Sequence, residues 1–499
     1  MKHDSTSRAL APSRRSFLRY AAAAGGALAA GRGAPRPPMN VVLILADDLG
    51  WADLGCYGAD LHQTPHIDRL ARQSVRYTDA YAAGPVCSPT RASIMTGKCP
   101  ARLHMTTWLE ASANPPQDRK LVPPVTVTNL PHEEVTIAEA LRERGYLTAL
   151  VGKWHLGTAE YYPETQGFDI NIGGTLWGAP QTYFYPYRGQ RLYGGEIRYV
   201  PHLEGGRPGE YLTDRLTDEA LKIVDSAAGR PFFLYLAHHA VHTPIEGKAA
   251  MVDRYAARIK PGMHHQNAGY AAMTESLDES VGRVLARLEQ RGLAGNTVVM
   301  FASDNGGYIN RFREQPIPVT DNYPLRSGKG ALYEGGIRVP LMVRWPGETR
   351  AGAVCAEPVI STDLFPTMLE VAGLEGKAVD GVSLAPLLRG ERARLERDAL
   401  FFHFPHYYPT TSPVSAVRHR DWKLIEFLED HHVELYDVAR DTGEHDNLAT
   451  KLPGKAEELR RRLHDWRSSV GAQMPRPNLA YRSGSRPSGW TEAALRESE

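Results

Sequence analysis

Asn40-Val41-Val42-Leu43-Ile44-Leu45-Ala46 runs directly into Asp47-Asp48, and this stretch sets the architecture. After its first residue it is apolar and rich in β-branched side chains, as a parallel strand covered on both faces must be. Thr297-Val298-Val299-Met300-Phe301-Ala302 repeats the pattern and ends in Ser303-Asp304-Asn305-Gly306. Tyr146 to Val151 ends in Gly152-Lys153-Trp154-His155, and Phe232 to Ala237 ends in His238-His239 and continues to His242. Val339 to Val343 reads as a further strand. Ligands of an open α/β sheet bind outside the carboxyl ends of its strands. These strands would deliver acidic pairs, a lysine and histidines to one edge.

Helical segments lie between the strands. Glu134 to Arg144 places Ile137, Ala140 and Leu141 on one face, and Tyr270 to Gln290 repeats Met273, Leu277, Val281, Val284, Leu285 and Leu288. The alternation predicts an α/β fold with a large, mainly parallel, doubly wound sheet flanked by helices. After Leu388-Arg389-Gly390 short runs follow at turn spacing: Ser415 to Arg418, Trp422 to Leu428, Val433 to Tyr436. The amphipathic segment Ala456 to Trp466 comes next. This predicts a smaller C-terminal α+β domain containing an antiparallel sheet. The expected division is a signal and linker over 1–38, a catalytic domain over 39–385, the small domain over 386–472 and a polar tail over 473–499.

Cys87-Ser88-Pro89-Thr90-Arg91 follows a turn-like Gly84-Pro85. Ser88-Pro89 reads as an N-cap with proline at the first helical position, and the helix should stop at Gly97. Cys87 then sits at a positive helix end with Arg91 one turn along, where an oxygen or sulfur anion is stabilised. A cysteine in that position is more often a buried small hydrophobe, and the local pattern leaves both readings open. Asp47, Asp48, Asp304 and Asn305 offer only oxygen, the chemistry of a hard cation such as calcium or magnesium. Alone, each pair reads as a solvated turn. Both, however, end apolar strands.

Cys87-x-Pro89-x-Arg91, followed by Ala92-Ser93-Ile94-Met95-Thr96-Gly97, resembles the signature of the sulfatase family. Asp47 to Gly50, Gly152 to Gly157, His242-Thr243-Pro244, Ser303 to Gly306, and Gly328-Lys329 with Glu334 to Pro340 are similar to family blocks, in the family's order. Glu434 to Asp437 and Asp446 to Ala449 resemble its small domain. The resemblance implies that Cys87 is oxidised to formylglycine, whose hydrate attacks sulfur, with a formylglycine-generating enzyme as maturation partner. It implies one calcium ion, magnesium being the alternative, on Asp47, Asp48, Asp304, Asn305 and the oxygen of residue 87. Lys153 and Lys329 would hold the sulfate oxygens, and Arg91 would favour the ionised nucleophile. His242 or Lys329 would protonate the leaving alcohol, and His155 would take the second hydroxyl's proton, expelling sulfate.

Two other readings compete: a phosphoester hydrolase on the same scaffold, and a non-catalytic binder of sulfated glycans with Cys87 unmodified. Tyr183 to Tyr187, Trp177 and Trp108 could stack on sugar rings, and His104, His403 and His406 could face substrate. The segment between the Lys153 and His242 blocks resembles bacterial carbohydrate sulfatases more than generic arylsulfatases. The expected substrate is thus a sulfated carbohydrate, of galactose or N-acetylgalactosamine type, attacked from its end, with an aryl sulfate as the simpler alternative.

The 499 residues carry a formal charge of +1, which gives no basis for nucleic-acid binding, and no apolar run approaches a membrane span. Ser13-Arg14-Arg15-Ser16-Phe17-Leu18 precedes a weakly apolar run, and Ala27-Leu28-Ala29 resembles a cleavage site. The order matches a twin-arginine export signal and predicts a periplasmic or secreted protein. No cysteine follows the run, which argues against a lipid anchor. That export route carries folded proteins, so modification of Cys87 on an unfolded chain would precede it. Cys56, Cys99 and Cys355 then allow at most one disulfide.

Overall fold

The computed structural model describes residues 38–192, 195–227, 229–313, 315–374 and 379–482. The expected export signal and the end of the tail lie outside the described residues.

The main sheet has eight strands. In chain order they are β1 (Asn40–Ala46), β2 (Val75–Tyr77), β3 (Leu147–Gly152), β4 (Ile170–Ile172), β5 (Phe232–Ala237), β6 (Thr297–Ser303), β7 (Leu341–Arg344) and β8 (Ala353–Cys355). Across the sheet they run β8-β2-β7-β6-β1-β5-β3-β4. Five neighbours, from β6 to β4, are parallel. The Val339–Val343 run does join the sheet, but β7 is antiparallel to both β6 and β2. β1 is buried along its whole length. Val42 and Ile44 pack with the helices Leu212–Ser226 and Ala268–Gln290 on one face. Val41, Leu43 and Leu45 pack with Cys87–Thr96, Ile137–Glu143 and Leu364–Val371 on the other. Helices on both faces are why the strand reads as one apolar run. Truncating Leu43 to alanine would cost about 2–5 kcal/mol.

Register aligns the strand ends. Ala46 faces Ser303 across the β1–β6 pair, Leu45 faces Ala237, and Gly152 also faces Ala237. Asp47, Asp304, His238 and Lys153 therefore leave the sheet along one edge.

The C-terminal part forms a four-stranded antiparallel sheet of Leu400–Phe404, Val414–His419, Trp422–Phe427 and Val433–Asp437. The first of these was not read from the sequence. One face carries Val417, Leu424 and Leu435 against Leu459 and Leu463 of the helix Pro453–Ser469. The other packs Phe402, Val414, Ile425 and Tyr436 against Tyr81, Leu332 and Ile337 of the larger unit. A buried ionic network crosses this junction: Lys423 Nζ lies 2.8 Å from Glu334 and 2.9 Å from Glu444. The polar tail does not begin loosely, because Arg476–Pro477 pairs with Leu121–Val122. All four cysteines are free.

Candidate active site

Asp47 and Asp48 follow β1, and Asp304 and Asn305 follow β6. Asp48 adopts the left-handed region at φ 59°, which turns the chain so that both carboxylates face the sheet edge. The Asp48 amide donates to Asp304 Oδ1 at 3.2 Å, and Asn305 Nδ2 donates to Asp48 Oδ1 at 2.7 Å. Asn305 Oδ1 is buried and accepts no hydrogen bond. A buried amide oxygen left over beside three carboxylates fits a hard cation, so the oxygen-only set suits calcium or magnesium. Burial and Asp304 push the Asp47 carboxyl up, against the pull of Lys153. Burial works the same way on Asp48, but Lys329, His242 and Lys153 outweigh it and hold it well below the carboxylate range.

The helix Cys87–Thr96 begins at the cysteine itself, behind an extended Val86. Ser88 is therefore not the N-cap. Its hydroxyl donates to the His155 carbonyl at 2.8 Å and ties this helix to the Lys153 loop. Gly97, at φ 69°, ends the helix as expected. Cys87 Sγ lies 3.4 Å from Asp47 Oδ1 and 3.9 Å from Asp48 Oδ1, and burial raises its thiol far above the ordinary range. Unmodified, it is a poor nucleophile at neutral pH. Arg91 is fully buried; its Nε donates to Asp304 Oδ2 at 2.9 Å and its NH1 to the Lys153 carbonyl at 3.2 Å. These contacts place it chiefly as a brace for the acidic cluster.

Lys153 Nζ donates to Asp47 Oδ2 at 2.7 Å. Lys329 Nζ reaches Asp48 Oδ2 at 2.8 Å, His242 Nε2 at 3.1 Å and Cys87 Sγ at 3.7 Å. Gly152, at φ 108°, lets β3 turn against β5, where a Cβ would stand 1.9 Å from the Ala237 carbonyl oxygen. His155 is also left-handed, at φ 59°. Burial and Lys153 lower its imidazole to about 4 despite Glu110, leaving it neutral at physiological pH.

Ten side chains from distant parts of the chain thus converge at one sheet edge: carboxylates, an amide, a buried cysteine, three cations and two histidines. Residues 39–374 match the family described as Sulfatase, and residues 327–469 match N-sulphoglucosamine sulphohydrolase, C-terminal. The chain belongs to the sulfatase family. It is 35% identical to steryl-sulfatase of Mus musculus, over 79% of this chain and 71% of that one. It is 36% identical to N-acetylgalactosamine-6-sulfatase of Sus scrofa, over 74% and 69%. Ps i-CgsB, solved in complex with k-i-k-neocarrahexaose, superposes with a TM-score of 0.72 at 28% identity, over 92% of this chain and 97% of that one. The chain is a sulfuric ester hydrolase, in place of the two competing readings.

This sulfatase brings every residue expected at the site to one place. Other expectations are corrected. Tyr183 and Tyr187 are buried in the core, so they offer no stacking face. The Tyr183 hydroxyl donates instead to the carbonyls of His239, at 2.6 Å, and His242, at 2.8 Å, and holds the histidine loop. His403 is satisfied by Ser415 and Gln473, His406 bonds Thr106, and His104 bonds the Gly471 carbonyl; these three pack rather than face the site. His238 is buried against Ser280.

Sequence reading missed Glu110 and Arg198. Glu110 Oε2 stands 3.7 Å from His155 Nε2, and Arg198 stands 3.3 Å from Glu110 and over the Trp177 ring. Neither residue lies in a recognisable block. It also missed Thr410, whose hydroxyl donates to the Lys329 carbonyl at 2.7 Å from the small domain. Gly178 has a specific reason: a Cβ there would lie 2.3 Å from the His155 ring.

Proposed function

We propose that this sulfatase desulfates the terminal unit of a sulfated carbohydrate, of galactose or N-acetylgalactosamine type, using formylglycine at position 87 and one calcium or magnesium ion. The observation that carries the reading is the acidic cluster around Cys87 with its unused Asn305 Oδ1. Asp47, Asp48, Asp304, Asn305 and the oxygen of residue 87 would hold the ion. Bound there, the cation supplies positive charge at the sulfate oxygens, and the formylglycine hydrate supplies the attacking hydroxyl.

The chain's own residues do the rest. Lys153, paired with Asp47, and Lys329, paired with Asp48, would present ammonium groups to the sulfate oxygens. Arg91 keeps Asp304 ionised and in place. Lys329, hydrogen-bonded to His242, holds the proton that a departing alkoxide needs. Neutral His155 accepts the proton whose loss releases sulfate. Residues 39–385 would be the catalytic domain and 386–472 the small domain that supports the Lys329 loop.

The sugar preference draws on relatives named for N-acetylgalactosamine-6-sulfate and on the neocarrahexaose complex. Export by the twin-arginine route to the periplasm or medium rests on Arg14-Arg15 and the run behind them. Among the described residues no helix is long and apolar enough to cross a membrane.

The test is tryptic mass spectrometry of residue 87 in protein co-expressed with a maturation enzyme, followed by assay on defined sulfated sugars. Formylglycine at position 87 with sulfate release from a terminal sugar is expected. Full activity with unmodified cysteine would overturn the nucleophile, and activity confined to steryl or aryl sulfates would overturn the substrate class.

A further inference from the structure

We propose that Asp53, His62 and His265 form a second metal site, of zinc type, beneath the loop that carries Asp48. One oxygen of Asp53 and one ring nitrogen of each histidine fall within 4.8 Å of one another. All three side chains are buried. The set is chemically unlike the oxygen-only cluster at Cys87. Two imidazoles and a carboxylate suit a borderline ion such as zinc, leaving one tetrahedral position for water.

The hydrogen bonds around the cluster favour this reading. A carboxylate offers about four lone-pair sites. Asp53 Oδ2 accepts from the Gly50 amide at 2.7 Å and the Tyr270 hydroxyl at 2.5 Å, and Oδ1 accepts from the Thr320 hydroxyl at 2.6 Å. One Oδ1 site is left on the side of the histidines. His265 Nδ1 lies 2.7 Å from Asp60 Oδ1. If Nδ1 carries the hydrogen, the Nε2 lone pair points into the cluster, the carboxylate–histidine arrangement typical of metal sites.

His265 is 3% exposed, and its Nε2 has no hydrogen-bond partner although it stands 3.2 Å from Asp53 Oδ1. A separation near 3.2 Å without alignment is what two ligands of one tetrahedral ion show, about 3.3 Å for bonds of about 2.0 Å. His62 Nδ1 lies 2.9 Å from the Asp53 carbonyl oxygen and so carries its hydrogen, which leaves Nε2 as the ligand nitrogen; the two imidazole rings are 4.3 Å apart. A divalent ion would also offset the charge of Asp53, the carboxylate of the set that is wholly buried.

The site would also serve catalysis indirectly. The Tyr270 hydroxyl that bonds Asp53 lies 3.2 Å from the Asp48 carbonyl, so fixing Asp53 fixes the turn between Asp48 and Gly50.

The experiment strips the full-length protein with chelator, saturates it with calcium, and titrates it with zinc. One zinc per chain by elemental analysis, with calcium content unchanged, is expected. Cobalt in place of zinc should give visible d–d bands of low coordination number without a thiolate charge-transfer band. His265→Gln and His62→Gln should each lose zinc while keeping calcium, and Asp60→Asn should weaken zinc about 10–100-fold. No zinc uptake, zinc that displaces calcium one for one, a thiolate band, or full zinc retention by His265→Gln would each overturn the proposal. The uptake and cobalt measurements decide it on the wild-type chain if a variant fails to fold.

Discussion

Lys329 Nζ stands 3.1 Å from His242 Nε2 and donates to Asp48 Oδ2 at 2.8 Å. His242 Nδ1 lies 2.9 Å from the Thr243 carbonyl oxygen, so Nδ1 carries the hydrogen and Nε2 accepts from the lysine. Burial and Lys329 lower the imidazole to about 3, so His242 Nε2 carries no proton to give at neutral pH. Lys329→Ala should therefore slow alkyl or sugar sulfates about 10²–10⁴-fold more than an activated aryl sulfate, whose leaving group needs no proton. Steady-state assays on both esters check it. Equal losses would confine Lys329 to binding.

Asp304 joins the proposed metal ligands to the Arg91 guanidinium, 2.8 Å away. Asp304→Ala should lose the bound divalent ion and reduce turnover below detection, with a folded circular dichroism spectrum. Elemental analysis alongside the assay decides this. Stoichiometric calcium in that variant would remove Asp304 from the ligand set.

His155 is neutral and buried, with Glu110 3.7 Å from its Nε2. His155→Ala should release the first equivalent of alcohol in a burst and then turn over about 10²–10⁴-fold slower. Stopped-flow measurement with a chromogenic aryl sulfate would show the two phases. Gly178→Ala, which puts a Cβ on the same ring, should lower kcat with KM nearly unchanged. A slow variant with no burst would exclude His155 from the second half of the reaction.

Lys423 is wholly buried between Glu334 and Glu444 at the junction of the two sheets. Lys423→Met leaves buried Glu444 without a counter-ion and Glu334 with Arg338, and should destabilise folding by about 3–5 kcal/mol, measured by denaturant unfolding. A loss under about 1 kcal/mol would mean that the two carboxyls share a proton instead.

Acid should unfold the protein early, and buried histidines set the direction. Burial lowers His238 and His406 to about 3 and His403 to about 4. Their ordinary value is about 6.5, so below it the unfolded chain binds protons that the folded chain refuses. The stability they confer is full above pH 6.5 and falls as pH drops towards the folded values. At pH 5 each costs about 2 kcal/mol. Melting temperatures measured between pH 7 and pH 5 check the sign, and a flat profile would contradict these burials.

The sequence by itself determined the strands, their polar ends and the motif helix. A run such as Val41 to Ala46, short and rich in β-branched side chains, reads as a strand covered on both faces, and Gly97 can stop a helix without help from the rest of the chain. It also determined that the ends of β1 and β6 carry only oxygen donors, because side-chain type is local information. Tertiary structure decided what depends on pairs far apart in the chain. The Ala46–Ser303 register brings Asp47 beside Asp304, and β7 turns antiparallel because its neighbours dictate it. Arg91 becomes a brace for Asp304, and Glu110 arrives beside His155 from a loop with no signature. Tyr183 is drawn under the histidine loop rather than left for sugar. Composition shows that a side chain can bond or stack, but the partner that satisfies it in a buried site is chosen by packing.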